Sequence, residues 1–352
     1  MGIAILGDIM LGRHMTSILE ENSVADLLNP IRPLIQQHHI IANLESPLAS
    51  GDRLKDDGSP VLWAPLAFAE QLDEAGIAAV SLANNHIFDA GKEGLYETIA
   101  ALENNGVGHV GAGENRAHAS QPHILQVDGY KVGLLAFSYT PPATEDKPGV
   151  AYIYDDTMEQ AIEATLPLVD FLIAMPHCGI ELYQYPLPRD QFCYKKMIDL
   201  GVDLVVGGHS HCVQAMELYQ GRSIFYSLGD CIFDHHHPDV WAGNWRGNAH
   251  AKQFALSATK ELPRISLAVI VEIKLDAMQI HYEPVKMGTS SGPTMMSEVE
   301  RNSWLESFEA LEHDLLHNPV TQQQRNDIEE QLSATLRKNG TRYLLDSGNP
   351  KM

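Results

Sequence analysis

The stretch IAAVSLANNHIFDAG, residues 77–91, begins as an apolar run typical of a buried strand and then becomes polar. Asn84, Asn85 and His86 come where the strand should end, and Asp89 lies three residues after His86. Three consecutive polar side chains are costly to bury unless each of them finds a partner. We therefore expect this strand to deliver polar groups to a functional site beyond its carboxyl end.

The same pattern recurs along the chain and indicates the fold class. Further apolar stretches end at polar residues, namely Asp8, Glu45, His177, and His209 with His211. Amphipathic helical segments lie between them, and this alternation predicts a layered α/β fold. A central Asp-Gly in residues 123–139 predicts a hairpin, and residues 263–275 and 278–287 predict an antiparallel pair. The sheets are therefore expected to be mixed.

The C-terminal part of the chain has a different character. Residues 288–298 are rich in Gly, Ser, Thr and Pro and predict a linker. Two amphipathic helical segments of mixed charge follow, at 298–318 and 321–340. We divide the chain into a main domain at 1–287 and a linker with a C-terminal helical extension at 288–352. The helical segments carry no cluster of site-like residues, so packing or oligomerisation is their expected role, and the oligomeric state stays open.

The composition narrows the class of partner. The chain has 352 residues and a net charge of −22, whereas nucleic-acid-binding proteins normally carry a basic surface. Nucleic acid is therefore not an expected partner, and a small-molecule or polymer substrate is. No run reaches the ~18 apolar residues of a membrane span, so we expect a cytoplasmic protein without stable membrane insertion. The four cysteines form no Cys-x-x-Cys pair, which favours reduced thiols.

The polar strand ends predict a metal site when they are taken together. Each one alone has a structural explanation: Asp8 as a helix cap, Asn85 as a turn residue, and His177 as a buried histidine with a satisfied partner. In open α/β sheets, however, ligands bind beyond the carboxyl ends of the strands. Mixed oxygen and nitrogen ligands suit Mn²⁺, Zn²⁺ or Fe better than Ca²⁺ or copper. The ligands are too many for one tetrahedral centre, so two ions bridged by a carboxylate fit better.

The order of these motifs resembles the metallophosphoesterase (calcineurin-like) superfamily. The motifs are Asp8, Glu45, NNH at 84–86, PHCGIE at 176–181 and GGHSH at 207–211. GDIMLGR at 7–13, NLESPL at 43–48, SLANNHIFDAG at 81–91 and YSLGDCIFD at 226–234 narrow the resemblance to CapA-type capsule or poly-γ-glutamate synthesis proteins. It covers residues 1–287. The fold that it implies is a layered α-β-β-α sandwich with mixed sheets, here followed by C-terminal helices.

The resemblance also implies a role for each site residue. The implied metal ligands are Asp8 and His211 for one ion, Asn85, His177 and His209 for a second, and Glu45 as the bridge between them. His86 would contact the transferred group or protonate the leaving group, and Asp89 would orient its ring. Arg13 and Glu181 would lie on the substrate side. The implied reaction is hydrolysis of a phosphoester by a hydroxide that bridges the two ions.

Two positions depart from the family patterns. The first superfamily motif is Asp-x-His, but residue 10 is Met, which cannot replace an imidazole on a hard metal, and His14 lies past the turn. The first metal site should therefore be the weaker one, and Met10→His should tighten it unless Met10 is a core side chain. Residues 221–230 predict a strand that ends at Asp230, where CapA-type chains usually have Asn, and this extra carboxylate would compensate. For His235–His237 we favour a solvated loop over a lid or a metal contact.

Three functions are compatible with these features. The leading one is a metal-dependent hydrolase of the phosphoesterase type. The family name instead suggests poly-γ-glutamate synthesis or export, or cleavage of its γ-amide. A chain of net charge −22 repels a polycarboxylate unless its cleft is locally basic. The candidates for such a patch are Arg13, Arg53, Lys55, Arg189, Lys195 and Arg246. The third function is a non-catalytic accessory protein that binds metal or polymer.

Overall fold

The computed structural model of the chain describes residues 1–51, 62–234, 264–288 and 291–338. The candidates for a basic patch Arg53, Lys55 and Arg246, and the segment His235–His237 for which a solvated loop was favoured, lie outside the described residues.

The strands are β1 (Gly2–Ile9), β2 (His38–Leu44), β3 (Leu48–Ala49), β4 (Ala64–Pro65), β5 (Ile77–Ser81), β6 (Gly108–Val110), β7 (Ala112–Gly113), β8 (His123–Val127), β9 (Tyr130–Ser138), β10 (Gly149–Val150), β11 (Phe171–His177), β12 (Leu204–Val206), β13 (Met216–Tyr219), β14 (Arg222–Phe225), β15 (Asp230–Ile232), β16 (Ile265–Lys274), β17 (Ala277–Met287) and β18 (Pro293–Met295). The helices are α1 (His14–Glu21), α2 (Val24–Leu28), α3 (Arg32–Ile35), α4 (Phe68–Glu74), α5 (Gly91–Asn104), α6 (Arg116–Ala119), α7 (Asp156–Thr165), α8 (Pro188–Asp199), α9 (Glu298–His317) and α10 (Pro319–Lys338).

Two mixed sheets form the centre of the fold. The first has the order β18-β17-β16-β1-β2-β5-β6, with β15 also paired to β1. Its strands β1, β2, β5 and β6 are parallel, and β16 to β18 are antiparallel. The second sheet has the order β13-β14-β12-β11-β9-β8, with parallel central strands and antiparallel edge pairs. The predicted mixed sheets are therefore confirmed.

The alternation of side chains along β9 shows how the layers are stacked. Val132, Leu134 and Ala136 belong to the large core that also holds the strands of the first sheet. Leu135 and Phe137, on the opposite face, pack in a second core with residues of α7 and α8. Successive side chains of a strand point to opposite faces, so β9 separates the two cores. Helices α1, α2, α4 and α5 contribute buried residues to the first core, which completes the predicted α-β-β-α sandwich.

Both predicted antiparallel pairs are present. The turn between β8 and β9 is Asp128-Gly129, with φ of 50° and 92°, and the turn between β16 and β17 is Leu275-Asp276, with φ of 52° and 59°. Two central residues with positive φ are typical of the tight type I′ turn, which suits the twist of the joined strands. The Asp-Gly sequence therefore predicted the first hairpin correctly, because both residues adopt the positive φ that this turn requires.

The prediction of one continuous strand at 221–230 was wrong. The structure divides this segment between the sheets: β14 pairs with β12 and β13, whereas β15 pairs with β1. The chain crosses from one sheet to the other between them, and Gly229 takes a φ of 72° at the crossing. Asp230 consequently begins a strand instead of ending one.

The C-terminal segment packs on the sandwich. The predicted linker contains β18, which pairs with β17 and extends the first sheet. Phe308 of α9 belongs to the first core and Leu315 to the second. Both predicted C-terminal helices are present, and the boundary after residue 287 stays a prediction. Among the described residues, no helix is both long and apolar enough to cross a bilayer.

Candidate metal centre

The carboxyl ends of parallel strands from both sheets converge at one edge of the sandwich. Asp8, near the end of β1, is in register with Asn43 of β2 and with Asp230 of β15. His177 is the last residue of β11, and its backbone pairs with Gly208 in the turn after β12. The fold therefore brings residues from distant parts of the sequence to a common site.

Two groups of buried side chains at this edge have the composition of a metal site, and they share Glu45. The groups are Glu45, His177 and His209, and Asp8, Glu45, His211 and Asp230. Within each group the potential ligand atoms lie within 4.8 Å of one another. The structure thus brings together all the predicted His and carboxylate ligands and adds Asp230 to them.

Glu45 is the residue whose environment most clearly suits a cation. Its side chain is completely buried, and no N–H or hydroxyl group of the described residues donates to either oxygen. The neighbouring Asp8 carboxyl can donate only when it is protonated. Burying a charged carboxylate without donors costs several kcal/mol, which a bound cation would offset. His209 Nδ1 is also buried without a hydrogen-bond partner among the described residues. This set of oxygen and nitrogen donors fits divalent transition metals.

Burial also controls the charges of these groups. Burial raises the pKa of Asp8 to about 7, and the Glu45 carboxylate acts in the same direction. Burial raises the pKa of Glu45 as well, although the His211 ring opposes this shift. Burial lowers the pKa of His177 to about 4 and holds the pKa of His209 well below its usual value. Both imidazoles are therefore neutral near pH 7, and the neutral ring is the form that binds metal.

His211 differs from the other two imidazoles because Asp230 holds its ring. His211 Nδ1 lies 2.9 Å from Asp230 Oδ1. Burial lowers the pKa of His211, but the Asp230 and Glu45 carboxylates outweigh burial and raise it well above its usual value. His211 Nε2 lies 3.9 Å from Glu45 Oε1. A carboxylate on one ring nitrogen orients the other nitrogen towards a metal, so Asp230 would orient His211 as a ligand once an ion displaces the second proton of the ring.

The opening motif supplies two different kinds of contact. Asn85 Oδ1 lies 3.1 Å from His177 Nε2, which places its carboxamide beside the group of Glu45, His177 and His209. His86 Nδ1 lies 2.8 Å from Asp89 Oδ2, and the same oxygen accepts a hydrogen bond from the Leu62 N–H at 2.9 Å. Asp89 thus holds the His86 ring, a contact that agrees with the role implied by the resemblance. Because Nδ1 is engaged, His86 would exchange a proton with a substrate through Nε2.

Asn43 is a site residue that the sequence analysis missed. Its Nδ2 donates to Asp8 Oδ1 at 2.9 Å and lies 3.2 Å from His177 Nδ1. Its Oδ1 accepts from Asn84 Nδ2 at 3.2 Å. One buried amide therefore connects three strand ends. The available signal was its position two residues before Glu45, because alternate residues of an extended chain point to the same side.

The turn after β12 has an unusual backbone because it approaches Asp8 closely. His209 has a φ of 89° and His211 has a φ of 54°, both rare for residues other than glycine. The His209 N–H donates to Asp8 Oδ2 at 3.1 Å. A side chain at Gly208 would place its Cβ 2.8 Å from Asp8 Oδ1, so the close approach requires glycine. Such strain persists where the surroundings enforce it, as at binding sites.

Arg13 lies at the rim of the site and not among the possible ligands. Its guanidinium pairs with the buried carboxylate of Asp234, which also accepts from His14 Nδ1 at 3.2 Å. Its Cζ lies 5.6 Å from the centre of the Phe233 ring, and that ring packs edge-on against His211 with centroids 4.9 Å apart. Phe233 therefore separates Arg13 from the buried ligands.

Met10 and Glu181 occupy contrasting positions. Met10 is completely buried in the first core, and its sulfur accepts a hydrogen bond from the Gly12 N–H at 3.1 Å. The structure therefore supports the core explanation for Met10. Glu181 lies in the loop after β11, where burial raises its pKa and the His211 and His86 rings oppose the shift. Its carboxyl is thus within electrostatic reach of the site.

Two bacterial proteins show how far the similarity to known sequences extends. The chain is 31% identical over 244 residues to the capsule biosynthesis protein CapA of Bacillus anthracis, covering 66% of this chain and 59% of that protein. It is 26% identical over 238 residues to the PGA biosynthesis protein CapA of Bacillus subtilis (strain 168), covering 66% of this chain and 63% of that protein. The chain thus matches about three fifths of the length of these relatives.

A more distant similarity concerns the superfamily. The chain is 28% identical over 167 residues to a 5′-nucleotidase of Diplobatis ommata, covering 44% of this chain and 26% of that protein. This similarity fits the metallophosphoesterase superfamily. The model of the family described as "Bacterial capsule synthesis protein PGA_cap" matches residues 2–235. Because that match spans more than half of the sequence, the chain belongs to the bacterial capsule synthesis protein family PGA_cap.

Proposed function

We propose that the protein is a hydrolase that depends on divalent transition metals and acts on phosphoesters. The observation that carries this proposal is the buried Glu45 carboxylate, which lies between two groups of potential ligands and lacks ordinary hydrogen-bond donors among the described residues. A carboxylate in this position suits two cations that share it. The proposed ions are Mn²⁺, Zn²⁺ or Fe, two per chain.

The ligand groups divide between the two proposed ions. The residues that would hold one ion are Asp8, Glu45, His211 and Asp230, and those that would hold the other are Glu45, Asn85, His177 and His209. Bound ions would polarise a phosphoryl group and activate water for its attack. Asn43 keeps Asp8 and His177 in place through its amide.

His86 and Asp89 supply a group for proton transfer. The Asp89 carboxylate accepts from His86 Nδ1, which fixes the ring and leaves proton transfer to Nε2. The proton on Nε2 would then pass to the oxygen of the leaving group. A site that only stored metal would not need this pair, and its presence favours catalysis over a purely accessory role.

The charge distribution bears on the class of substrate. Arg13, fixed by Asp234 at the rim, would contact an anionic part of the substrate. Two other candidates for a basic patch are engaged on α8: Lys195 lies 2.8 Å from Glu217, and Arg189 packs over Tyr154. The described residues therefore favour a small phosphoester over a long polycarboxylate.

Family membership supports a second candidate function. The names of the relatives concern capsule and poly-γ-glutamate synthesis, so the same site could act on a γ-glutamyl amide or serve that pathway without turnover. A cytoplasmic location also stays a proposal.

A parallel substrate assay distinguishes these functions. Purified full-length protein with added Mn²⁺ would be assayed on aryl and nucleotide phosphoesters and on γ-glutamyl peptides. Turnover of phosphoesters that disappears with a chelator supports the proposal. Turnover of only the γ-glutamyl substrates supports amide cleavage, and no turnover of either by metal-loaded protein supports the accessory role.

A further inference from the structure

The loop between β11 and α8 reaches from the metal centre to the C-terminal helix. This loop, residues 178–187, is termed here the site loop; it begins directly after His177 and carries Glu181. The Leu182 N–H donates to the carbonyl of Ser210 at 2.7 Å. Ser210 lies between His209 and His211, the two residues with positive φ. The site loop therefore braces the turn that carries two of the proposed ligands.

Further hydrogen bonds tie the site loop to the segment after this turn. The Gln214 side chain donates from Nε2 to the carbonyls of Tyr183 and Tyr185, at 2.8 Å and 3.0 Å. The Ala215 N–H donates to the carbonyl of Gln184 at 3.3 Å. A displacement of the site loop would consequently disturb the chain on the C-terminal side of His211.

Helix α10 holds the opposite side of the site loop. Its Ile328 packs with Ile180 and Leu187 in a small apolar cluster. Arg325 is only 4% exposed, and its Nε donates to the carbonyl of Pro186 at 2.7 Å. The same guanidinium donates from Nη2 to Gln191 Oε1 at 2.6 Å. Helix α10 is thus hydrogen-bonded to both the end of the site loop and the start of α8.

The presence of arginine at position 325 indicates that this residue does more than cover an apolar surface. Burying a guanidinium is costly, and an aliphatic side chain would cover the cluster more cheaply. Arg325 instead directs N–H groups at a loop carbonyl and a helix side chain, so it fixes their relative position. The planar guanidinium makes such paired contacts with less loss of freedom than lysine would.

We infer that α10 positions the metal centre through the site loop and that Arg325 is its positioning residue. The inference rests on the proposed metal site. Helix α10 lies outside the residues 2–235 that match the family model, so this support belongs to the extension of this chain. Arg325 does not touch a substrate or an ion; it acts through Pro186, Leu182 and Ser210 on the geometry of His209 and His211.

The test compares full-length Arg325→Met, Arg325→Lys and wild-type proteins loaded with Co²⁺ and titrated with Mn²⁺. The visible absorption of bound Co²⁺ reports ligand geometry, and calorimetry gives the Mn²⁺ affinity. We expect Arg325→Met to change the Co²⁺ spectrum and weaken Mn²⁺ binding on the order of 10-fold, the lower end of what loss of ligand-supporting groups causes. Arg325→Lys should give a smaller change of the same kind.

Arg301→Met is the matched control, because Arg301 lies in α9 and pairs with Glu283 of β17. Its Co²⁺ spectrum and Mn²⁺ affinity should equal those of wild type. If Arg325→Met does not fold, the result for Arg325→Lys decides. Folded Arg325 variants with the wild-type spectrum and affinity would show that α10 covers the site loop without positioning the metal centre. Wild-type protein that binds neither ion would overturn the proposed metal site itself, which is a distinguishable result.

Discussion

The Asp89 carboxylate holds the His86 ring through a contact of 2.8 Å between Oδ2 and Nδ1. The same oxygen also accepts from the Leu62 N–H, so Asp89 is itself fixed. Asp89 is 3% exposed, whereas the His86 side chain is 17% exposed. A buried carboxylate thus orients an accessible imidazole, an arrangement suited to proton transfer beside a metal centre.

Replacing His86 should separate catalysis from metal binding. We expect His86→Ala to lower kcat about 10²–10⁴-fold, the usual contribution of a positioned acid or base, while bound metal stays unchanged. The measurement is phosphoesterase turnover together with elemental analysis. Asn85→Ala provides the contrast, since its carboxamide contacts His177 and its loss should lower metal occupancy. Equal loss of metal in both variants would show that these roles are misassigned.

Asn43→Ala should weaken metal binding although Asn43 is not a proposed ligand. Removing its amide deprives Asp8, His177 and Asn84 of one hydrogen bond each in a buried site. We expect Mn²⁺ affinity to fall about 10–100-fold and the free energy of unfolding to fall by about 1–3 kcal/mol. Calorimetric titration and thermal denaturation measure these effects. Asn105→Ala, which removes an amide contact to Ala101 in α5, should leave Mn²⁺ affinity at the wild-type value.

Met10→His should destabilise the protein without improving its metal site. Met10 is completely buried in the first core. An imidazole at this position would replace the apolar packing of the methionine and would need a hydrogen-bond partner. The expected loss in free energy of unfolding is about 1–3 kcal/mol. Denaturant unfolding and Mn²⁺ titration of the variant measure the two effects. A variant with tighter Mn²⁺ binding and an unchanged melting temperature would show that position 10 reaches the metal.

Mn²⁺ binding should weaken as the pH falls below about 7. The pKa of Asp8 is raised to about 7, so at lower pH the ion must displace a proton from this carboxyl. The pKa of His177 is about 4, so that ring is already neutral and adds no proton in this range. The pKa of His211 is raised well above its usual value, so binding also displaces a proton from this ring, and affinity should fall by up to about tenfold per pH unit for each proton displaced. Titrations in two buffers of different ionisation enthalpy would count the protons, and constant affinity between pH 6 and pH 8 would contradict this account.

The sequence predicted those parts of the fold and the site that depend on local patterns. The strand ends at Asp8, Glu45 and His177 were recognisable because an apolar run and its polar end are adjacent in the chain. Asn43 was overlooked because its partners come from other strands, although it shares a face with Glu45. Features of this kind become visible only when the strands are assembled.

The remaining differences between the predictions and the structure depend on how distant parts of the chain are arranged in space. Residues 226–229 pass between the sheets, so Asp230 begins β15 instead of ending the preceding strand. The pattern around Met10 could not separate a core side chain from a lost ligand, because both occur at the end of a buried strand. The contact between Arg325 and Pro186 joins segments that are distant in sequence, so a local sequence pattern could not predict it.

The amount of metal bound by wild-type protein and by Glu45→Gln tests the central claim most directly. Both proteins would be equilibrated with Mn²⁺, freed of excess by dialysis and analysed for metal, with electron paramagnetic resonance to detect coupled ions. We predict two Mn²⁺ ions per wild-type chain with a coupled signal, and loss of at least one ion and of the coupling in Glu45→Gln, since the amide cannot bridge as a carboxylate does. A wild-type protein without bound Mn²⁺, or a variant that retains two coupled ions, would contradict the account.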